Sequence, residues 1–261
     1  MTVSIGMATY NGENYVAEQI KSILPQLSNS DELIIVDDGS KDKTVEIIKS
    51  FSDEKIKSFT NEKNLGHVKT FERIISLCRN ELIFMCDQDD IWSSNKVEVF
   101  KKHFFEEDAL LISDNSHYIN KYGNRIEFKM CEISTRDSKK FSKNILDIYL
   151  GRAGYYGCGM AFRKELKDVI MPIADYVESH DLWIAMAANL LHSNLHIDER
   201  THFRRIHGEN DSLKTRKLLK KINSRIIFIK SQIELQKRIS KYNRLNQVKL
   251  DKKKKNSMTK S

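Results

Sequence analysis

Two groups of acidic residues stand where a short apolar run gives way to polar sequence. The first follows residues 33–36 and the second follows residues 82–86; their members are Asp37, Asp38, Asp87, Asp89 and Asp90. Gathered at one place, such carboxylates repel each other unless a cation or hydrogen-bond donors balance them. Mg²⁺ and Mn²⁺ prefer carboxylate oxygen and are often shared with substrate phosphates. The Asp-x-Asp spacing of Asp87 and Asp89 therefore predicts a site for a divalent cation that also binds a diphosphate. Taken alone, each of the two acidic groups could instead be a solvated turn or a helix N-cap.

The elements that must position these groups alternate along the first half of the chain. Short apolar runs predict strands at 3–7, 33–36, 56–59, 82–86 and 109–112. Amphipathic stretches between them predict helices at 15–24, 44–51, 68–78 and 95–105, the first of which ends at Pro25. This alternation is typical of βαβ units and a largely parallel sheet. Ligands bind beyond the carboxyl ends of such strands, so both acidic groups are expected at one edge.

The second half is less regular. Residues 113–136 predict an excursion of short strands, residues 144–150 and 181–192 predict helices, and residues 157–162 predict a buried strand. The segment 195–206 is expected to return to the same sheet. Gly157-Cys158-Gly159 lacks the third glycine of a dinucleotide fingerprint and does not open a βαβ unit, which argues against nicotinamide binding.

The net charge of +8 is unevenly distributed over the 261 residues. Residues 213–261 hold 17 Lys and Arg against two acidic residues, a net +15, while residues 1–212 hold 27 basic and 34 acidic residues, a net −7. An acidic body argues against a nucleic-acid-binding core, because phosphate backbones need a basic face. With 40% hydrophobic and 31% charged residues, the chain fits a globular domain rather than a disordered or disulfide-scaffold protein.

Signals of export and of a membrane span do not appear in the sequence. The N-terminus has no basic segment followed by a long apolar run, and the apolar stretches are far shorter than a bilayer span. Cys78, Cys86, Cys131 and Cys158 have neither Cys-x-x-Cys nor metal-finger spacing, which predicts free thiols in a reducing compartment. We therefore expect a cytoplasmic protein.

The basic segment 213–261 carries an apolar stripe. Its members recur at steps of three or four residues; they are Leu218, Ile222, Ile226, Ile229 and Ile233. A basic amphipathic helix can lie in a bilayer interface, where each basic residue near anionic lipid contributes about 1 kcal/mol. We expect a peripheral contact with the inner leaflet of the cytoplasmic membrane. The alternative is a helical hairpin packed on the preceding domain, and in either case a disordered Lys-rich end is expected.

Six motifs, in order, resemble those of the family 2 glycosyltransferases with the GT-A fold. They are Ala8-Thr9-Tyr10-Asn11-Gly12, Val36-Asp37-Asp38-Gly39-Ser40, Asn64-Leu65-Gly66, Cys86-Asp87-Gln88-Asp89-Asp90-Ile91-Trp92, His180-Asp181-Leu182-Trp183 and Arg205-Ile206-His207-Gly208-Glu209-Asn210-Asp211-Ser212. The last is similar to a segment common among bacterial rhamnosyltransferase-like members. The resemblance covers roughly residues 2–212 and implies a three-layer α/β/α sandwich with a mostly parallel central sheet. Residues 1–112 would bind the nucleotide-sugar, residues 113–212 the acceptor, and residues 213–261 would form a basic helical extension.

The resemblance also implies roles for individual residues. It assigns the nucleotide pocket to Thr9, Tyr10 and Asn11, with Asn64 and Gly66 as further candidates. Asp37 or Asp38 would accept the pyrimidine N–H at the base edge. Asp89 would be the principal metal ligand, assisted by Asp87, which also lies near the ribose or the donor sugar. His207 would approach the metal or the diphosphate, and Asp181 would be the general base.

Several of these residues have a structural alternative. Asn64 and Gly66 could form a helix entry, His207 could be a structural histidine, and Asp181 could be a helix N-cap. Trp92 and Trp183 could stack on a sugar or pack in the core. Should Asp181 fail as the base, Glu178 and Asp211 are the next candidates.

The sequence as a whole predicts a metal-dependent inverting glycosyltransferase. Inversion at an anomeric carbon needs one base for the acceptor hydroxyl and a cation, Mn²⁺ or Mg²⁺, for the departing nucleoside diphosphate. The expected donor is a UDP- or dTDP-sugar, with dTDP-rhamnose as the first candidate. The expected acceptor is a polysaccharide or lipid-linked oligosaccharide of bacterial surface polysaccharide synthesis. The alternatives are a metal-dependent sugar nucleotidyltransferase, whose glycine-rich basic first loop is missing, and a non-catalytic module that binds lipid or nucleic acid.

Overall fold

The computed structural model describes residues 1–208 and 218–258 of the chain. The strands are β1 (Val3–Thr9), β2 (Glu32–Asp37), β3 (Ile56–Thr60), β4 (Leu82–Asp87), β5 (Ile91–Trp92), β6 (Leu111–Ser113), β7 (His117–Asn120), β8 (Met160–Arg163), β9 (Asn194–His196) and β10 (His202–Ile206). The helices are α1 (Val16–Ile23), α2 (Thr44–Ser50), α3 (His67–Leu77), α4 (Lys96–Glu106), α5 (Phe141–Leu150), α6 (Lys167–Ile170), α7 (His180–Leu190) and α8 (Leu218–Met258).

A mostly parallel sheet forms the centre of the molecule, as the sequence predicts. Its seven strands run in the order β3-β2-β1-β4-β8-β6-β9. The pairs β2–β3, β1–β2 and β1–β4 are parallel, and β8 runs antiparallel to both β4 and β6. The carboxyl ends of β1, β2 and β4 therefore lie side by side, which places both acidic groups at one edge of the sheet.

Helices cover both faces of this sheet, so that the fold has three layers. Successive strand residues point to opposite faces: Ile34 belongs to the core shared with α3, α7 and α8, whereas Leu33 belongs to the core shared with α1, α2 and α4. Gly6 in β1 permits close packing on the first of these faces, because a Cβ there would lie 2.2 Å from Ile74 Cγ2 of α3. The predicted α/β/α sandwich is thereby confirmed.

The prediction for residues 195–206 is only half correct. Strand β9 joins the main sheet beside β6, but β10 belongs to a second sheet, of order β5-β10-β7. The chain leaves the main sheet where the backbone N–H and Oγ1 of Thr201 bind Asp114 Oδ2, at 2.9 and 2.6 Å. Strand β10 then pairs with β5, which directly follows the second acidic group. Within 157–162, strand structure begins at Met160 after a 3-10 turn.

The basic extension is one continuous helix in the described ranges and not a hairpin. Helix α8 contacts α5, α6 and α7, and Leu235 is completely buried in the core beside α7. Its backbone remains helical through residues 252–255, where the sequence predicted disorder; lysine is a good helix former. No helix of the described ranges, α8 included, has both the length and the apolar character needed to cross a bilayer.

Candidate active site

Asp37 ends β2 and holds the turn that follows it. Its Oδ1 accepts hydrogen bonds from Thr9 Oγ1 (3.0 Å) and Ser40 Oγ (2.5 Å). Its Oδ2 accepts from the backbone N–H groups of Gly39 (3.1 Å) and Ser40 (2.9 Å). Both oxygens therefore stabilise the turn and fix the end of β1. These four bonds use the lone pairs that a carboxylate offers, so a contact with a nucleotide base would have to replace one of them, and this role of Asp37 stays a prediction.

Asp38 connects the end of β2 to the entry of α3. Its Oδ1 accepts from Asn61 Nδ2 (2.7 Å) and Leu65 N (2.8 Å), and its Oδ2 accepts from Gly66 N (2.9 Å). Gly66 precedes α3 with a φ of +83°, a conformation that favours glycine, and its N–H also reaches Asn64 Oδ1 (3.1 Å). Asn64 and Gly66 thus form the helix entry, and their contact with a substrate stays a prediction.

The loop after β1 is fastened to both acidic groups. Gln88 bonds the main chain of Tyr10 twice: Tyr10 N donates to Oε1 (2.8 Å), and Nε2 donates to the Tyr10 carbonyl (3.0 Å). The N–H of Asn11 donates to Ser40 Oγ (2.8 Å). Thr9 is buried while Tyr10 and Asn11 are exposed. Of the three residues predicted for the nucleotide pocket, only Tyr10 and Asn11 are therefore open to a ligand.

The second acidic group is crowded. Burial, followed by repulsion from Asp89, raises the pKa of Asp87 to about 6. Burial and the charges of Asp89 and Asp87 raise the pKa of Asp90 well above its usual range. Asp89 Oδ2 lies 2.7 Å from His207 Nε2, which β10 brings to this edge from the far end of the domain. Mutually repelling carboxylates with an imidazole beside them are a donor set that suits a divalent cation.

A different set of ligand types is fully buried and less suited to a metal. One atom each from Asp90, Cys158 and His202 lies within 4.8 Å of the others. The His202 ring already contacts Ser116 Oγ at 2.8 Å and the buried Lys96 ammonium at 3.4 Å. Because a metal ion beside that ammonium would be repelled, we interpret this cluster as a hydrogen-bonded part of the core.

Asp181 is the second residue of α7 and is not its cap. The N-cap is Ser179, whose side chain accepts from Leu182 N. Asp181 Oδ1 nevertheless accepts from the same Leu182 N–H, at 2.8 Å, and from the Ser179 hydroxyl, so its carboxylate also contributes to the start of the helix. Its carboxylate lies close enough to Asp87 to raise the pKa of Asp87 further. The predicted base and Asp87, one of the predicted metal ligands, thus lie near each other, although they come from distant parts of the chain.

His180 lies beneath the predicted base. Its ring stacks on Phe71 with 4.0 Å between ring centroids, and Nε2 would lie 3.0 Å from a Cβ placed on Gly157. Neither ring nitrogen has a hydrogen-bond partner in the described part of the chain. Burial lowers the pKa of His180 to about 4, so the ring is neutral at physiological pH.

Other predicted candidates belong to the scaffold or fall outside the described ranges. Trp92 and Trp183 are 3% and 2% exposed, so of the two alternatives, sugar stacking and core packing, both residues take the second. Glu178 turns its carboxylate to α8, where Oε2 accepts from Ser224 Oγ at 3.0 Å. Asp211, together with the rest of the last motif beyond residue 208, lies outside the described residues.

Gln88 and Arg205 are site residues that the sequence analysis missed. Gln88 ties the two predicted ligand loops together, and Arg205 N donates to Asp90 Oδ1 at 3.1 Å. One signal was present: two adjacent arginines stand in a segment with strand character, and buried cations require acidic or carbonyl partners. The sequence did not indicate which acids those would be.

Comparison with known sequences identifies relatives. The family model described as Glycosyl transferase family 2 matches residues 4–170. An uncharacterized glycosyltransferase of Nostoc sp. is 26% identical over 225 residues, which cover 82% of this chain and 67% of that protein. The UDP-Glc:alpha-D-GlcNAc-diphosphoundecaprenol beta-1,3-glucosyltransferase WfgD of Escherichia coli is 33% identical over 118 residues. That alignment covers 45% of this chain and 47% of WfgD, so the chain matches about half the length of this relative.

Solved structures share the fold. TarS 1-349 of S. aureus, in complex with UDP-GlcNAc, superposes with a TM-score of 0.67 at 18% identity, covering 93% of this chain and 71% of that one. The mannosyltransferase PcManGT from Pyrobaculum calidifontis, in complex with GDP-Man and Mn²⁺, gives a TM-score of 0.58 at 12% identity, covering 91% and 74%. At these identities the similarity shows the GT-A fold alone.

Proposed function

We propose, because the chain belongs to glycosyl transferase family 2, that it is an inverting enzyme that transfers one sugar from a nucleotide-sugar to a glycan or lipid-linked acceptor. The observation that carries this proposal is the position of Asp181. Its carboxylate lies close enough to Asp87 to raise the pKa of that group, and one of its oxygens, Oδ1, also accepts from Leu182 N at 2.8 Å. A carboxylate opposite a metal-suited acidic group is the arrangement that direct displacement requires.

Each part of the site has a task in this reaction. Asp181 takes the proton of the acceptor hydroxyl while that oxygen bonds the anomeric carbon and the bond to the nucleoside diphosphate breaks. Asp89, Asp87 and His207 would hold the divalent cation, Mn²⁺ or Mg²⁺, whose charge neutralises the departing diphosphate. Tyr10 and Asn11 would contact the nucleotide, with Thr9, Asp37 and Asp38 supporting the pocket behind them.

The donor is proposed from the names of the relatives. WfgD is named for UDP-Glc, and the TarS structure holds UDP-GlcNAc. These names favour a UDP-hexose over dTDP-rhamnose, which rests on one motif resemblance. By the same reasoning, the diphosphoundecaprenol in the name of WfgD supports a lipid-linked acceptor.

If the acceptor is lipid-linked, the enzyme must work at a membrane surface, and α8 is the element that we propose to contact it. Four of its isoleucines are about half exposed, opposite the face that buries Leu235; they are Ile222 (53%), Ile226 (48%), Ile229 (51%) and Ile233 (48%). We call them the outward stripe. A basic helix that packs by one face and presents apolar residues on the other suits peripheral contact with an anionic inner leaflet. This contact would bring the cleft to its acceptor.

A panel of nucleotide-sugars tests the function. The assay measures release of the nucleoside diphosphate with Mn²⁺ and with EDTA, and Asp89→Ala serves as the variant without the principal metal ligand. We expect one donor to be consumed in the presence of metal and Asp89→Ala to lose turnover. Donor-dependent thermal stabilisation, with and without Mn²⁺, is measured in parallel. A protein that neither consumes nor is stabilised by any donor would be a binding module, and the proposal would fail.

A further inference from the structure

Arg205 is a buried arginine at the centre of the acidic edge. Its side chain is 2% exposed, and its guanidinium bonds several segments at once. Nε donates to the carbonyl of Asp89 (2.8 Å), and Nη1 donates to the carbonyls of Asn120 and Lys121 (3.3 Å each). Nη2 forms an ion pair with Glu18 Oε2 of α1 at 2.5 Å. The side chain therefore joins α1, the turn after β4 and the end of β7.

We propose that Arg205 is a positioning residue that fixes the main chain at Asp89, so that Asp89 and His207 are held where they can share one divalent cation. This inference rests on the proposed function, because it assumes that these two residues serve a metal. What it adds is that the relative position of Asp89 and His207 is set by Arg205, a side chain that would contact neither the metal nor the substrate.

The strand β10 supplies the geometric reason. Arg205 lies in β10, and His207 directly follows the last residue of that strand. Both side chains meet Tyr15: the Arg205 Cζ lies 4.8 Å from the centroid of its ring, and the His207 ring lies 5.2 Å from it. Arg205 thus holds the backbone of Asp89 from the same surface on which His207 approaches the Asp89 carboxylate.

The groups that Arg205 bonds differ from those of an arginine in an ordinary buried ion pair. Its ion pair with Glu18 involves a carboxylate that is 54% exposed, and its guanidinium also bonds three main-chain carbonyls. An arginine that served only to balance charge would need no such carbonyls, whereas a planar fork that bonds several of them fixes a loop in one conformation. Ligand geometry must be held within about 0.5 Å for a metal site to work, and residues behind the ligands typically contribute 10- to 100-fold in metal affinity.

The test compares Mn²⁺ affinity in three variants. Arg205→Lys keeps the charge but cannot reach Glu18 and the carbonyls together. Glu18→Gln weakens the ion pair that orients the guanidinium and changes an exposed side chain, so it is expected to fold. Arg200→Gln is the matched control, because Arg200 also bonds a carboxylate, Glu132, and a carbonyl, outside the acidic group. Mn²⁺ binding is measured by electron paramagnetic resonance in the presence of UDP, and folding by circular dichroism and thermal midpoint.

We expect Mn²⁺ affinity to fall about 10- to 100-fold in Arg205→Lys and several-fold in Glu18→Gln, with wild-type affinity in Arg200→Gln. Wild-type Mn²⁺ affinity in both Arg205→Lys and Glu18→Gln would overturn the proposal, as would an equal loss in Arg200→Gln. Should Arg205→Lys fail to fold, Glu18→Gln alone decides. If wild-type protein consumes a donor yet binds no Mn²⁺, the positioning role is refuted while glycosyl transfer stands.

Discussion

The chemistry at the residue scale depends on carboxylates with different surroundings. Asp90 is buried and Asp87 is partly buried, and both have raised pKa values. In contrast, Asp37 accepts hydrogen bonds from its own loop, and Asp38 accepts them from the segment that leads into α3. A bound cation could relieve the electrostatic repulsion at Asp87 and Asp90. Asp37 and Asp38, in contrast, fix the conformation of the loops around them. Carboxylates with the same position in the sequence pattern, just after a strand, therefore have opposite tasks.

Asp181→Asn is expected to lower kcat by about 10²–10⁴, the usual contribution of a general base. The amide keeps the size of the side chain but cannot take a proton, and Ser179 caps the helix in either case. Donor affinity and Mn²⁺ affinity should remain near wild type. The measurement is steady-state transfer to the acceptor that the wild-type protein uses best. A kcat close to wild type would show that Asp181 is not the base.

His180→Leu is expected to flatten the dependence of stability on pH. The folded-state pKa of about 4 lies below the ordinary 6.5, so the unfolded chain binds the proton first as the pH falls. Wild-type stability should therefore decrease between pH 6.5 and 4, by about 1 kcal/mol per pH unit from this residue. Urea unfolding at several pH values measures the slope, and equal slopes in both proteins would contradict the prediction.

The motifs of the sequence indicated candidate site residues but not the contacts between them. Asp89 and Asp181 were assigned through the resemblance of their motifs to those of a known family, and their roles stay predictions. Gln88 and Arg205 could not be found, because their partners lie 78 and 116 residues away and are largely main-chain groups. Carbonyl and N–H groups are present at every residue, so the sequence contains no signal that one of them is a partner.

The same distinction applies at the scale of elements. The strands β1 to β4 and the helices between them follow from apolar runs and helical spacing, which are local properties. The place of β10 depends on Thr201 meeting Asp114, a contact between distant segments. Predicting β10 in the main sheet was therefore a failure of long-range information, and it concealed how His207 reaches Asp89.

Replacing two isoleucines of the outward stripe, Ile226→Gln with Ile229→Gln, should weaken binding to anionic vesicles about 30-fold. Each half-exposed side chain would transfer apolar area from water to the interface, worth about 1 kcal/mol. Stability should change little, because neither residue is buried. Vesicle sedimentation measures binding, and thermal denaturation measures stability.

Leu235→Ala is the matched control for that experiment. Leu235 is completely buried on the opposite face of α8, so its truncation should cost about 2–5 kcal/mol of unfolding free energy. Vesicle binding by the folded protein should be unchanged. Equal vesicle affinity in the wild type and the stripe variant would mean that α8 serves packing alone.

At the scale of the whole molecule, charge and apolar surface are separated. The acidic body, with a net charge of −7, and the basic extension, with +15, would orient the protein on an anionic surface with α8 toward the lipid. The described part of α8 exposes Lys230, Lys237 and Lys241 along with the outward stripe. Attraction by these charges acts at a distance, whereas the isoleucines act only on contact.

The electrostatic and the apolar contributions to vesicle binding should differ in their dependence on salt concentration. The Debye length falls from about 10 Å at 0.1 M to about 3 Å at 1 M, so binding to anionic vesicles should decrease at least tenfold over this range. Binding to neutral vesicles, carried by the outward stripe alone, should be weak and nearly independent of salt. The Ile226→Gln, Ile229→Gln variant should lose the neutral component and keep the salt dependence, because its charge is unaltered. Vesicle sedimentation at three salt concentrations and two lipid compositions distinguishes them. If salt abolished binding to both kinds of vesicle equally, the stripe would contribute nothing and the extension would be a purely electrostatic tether.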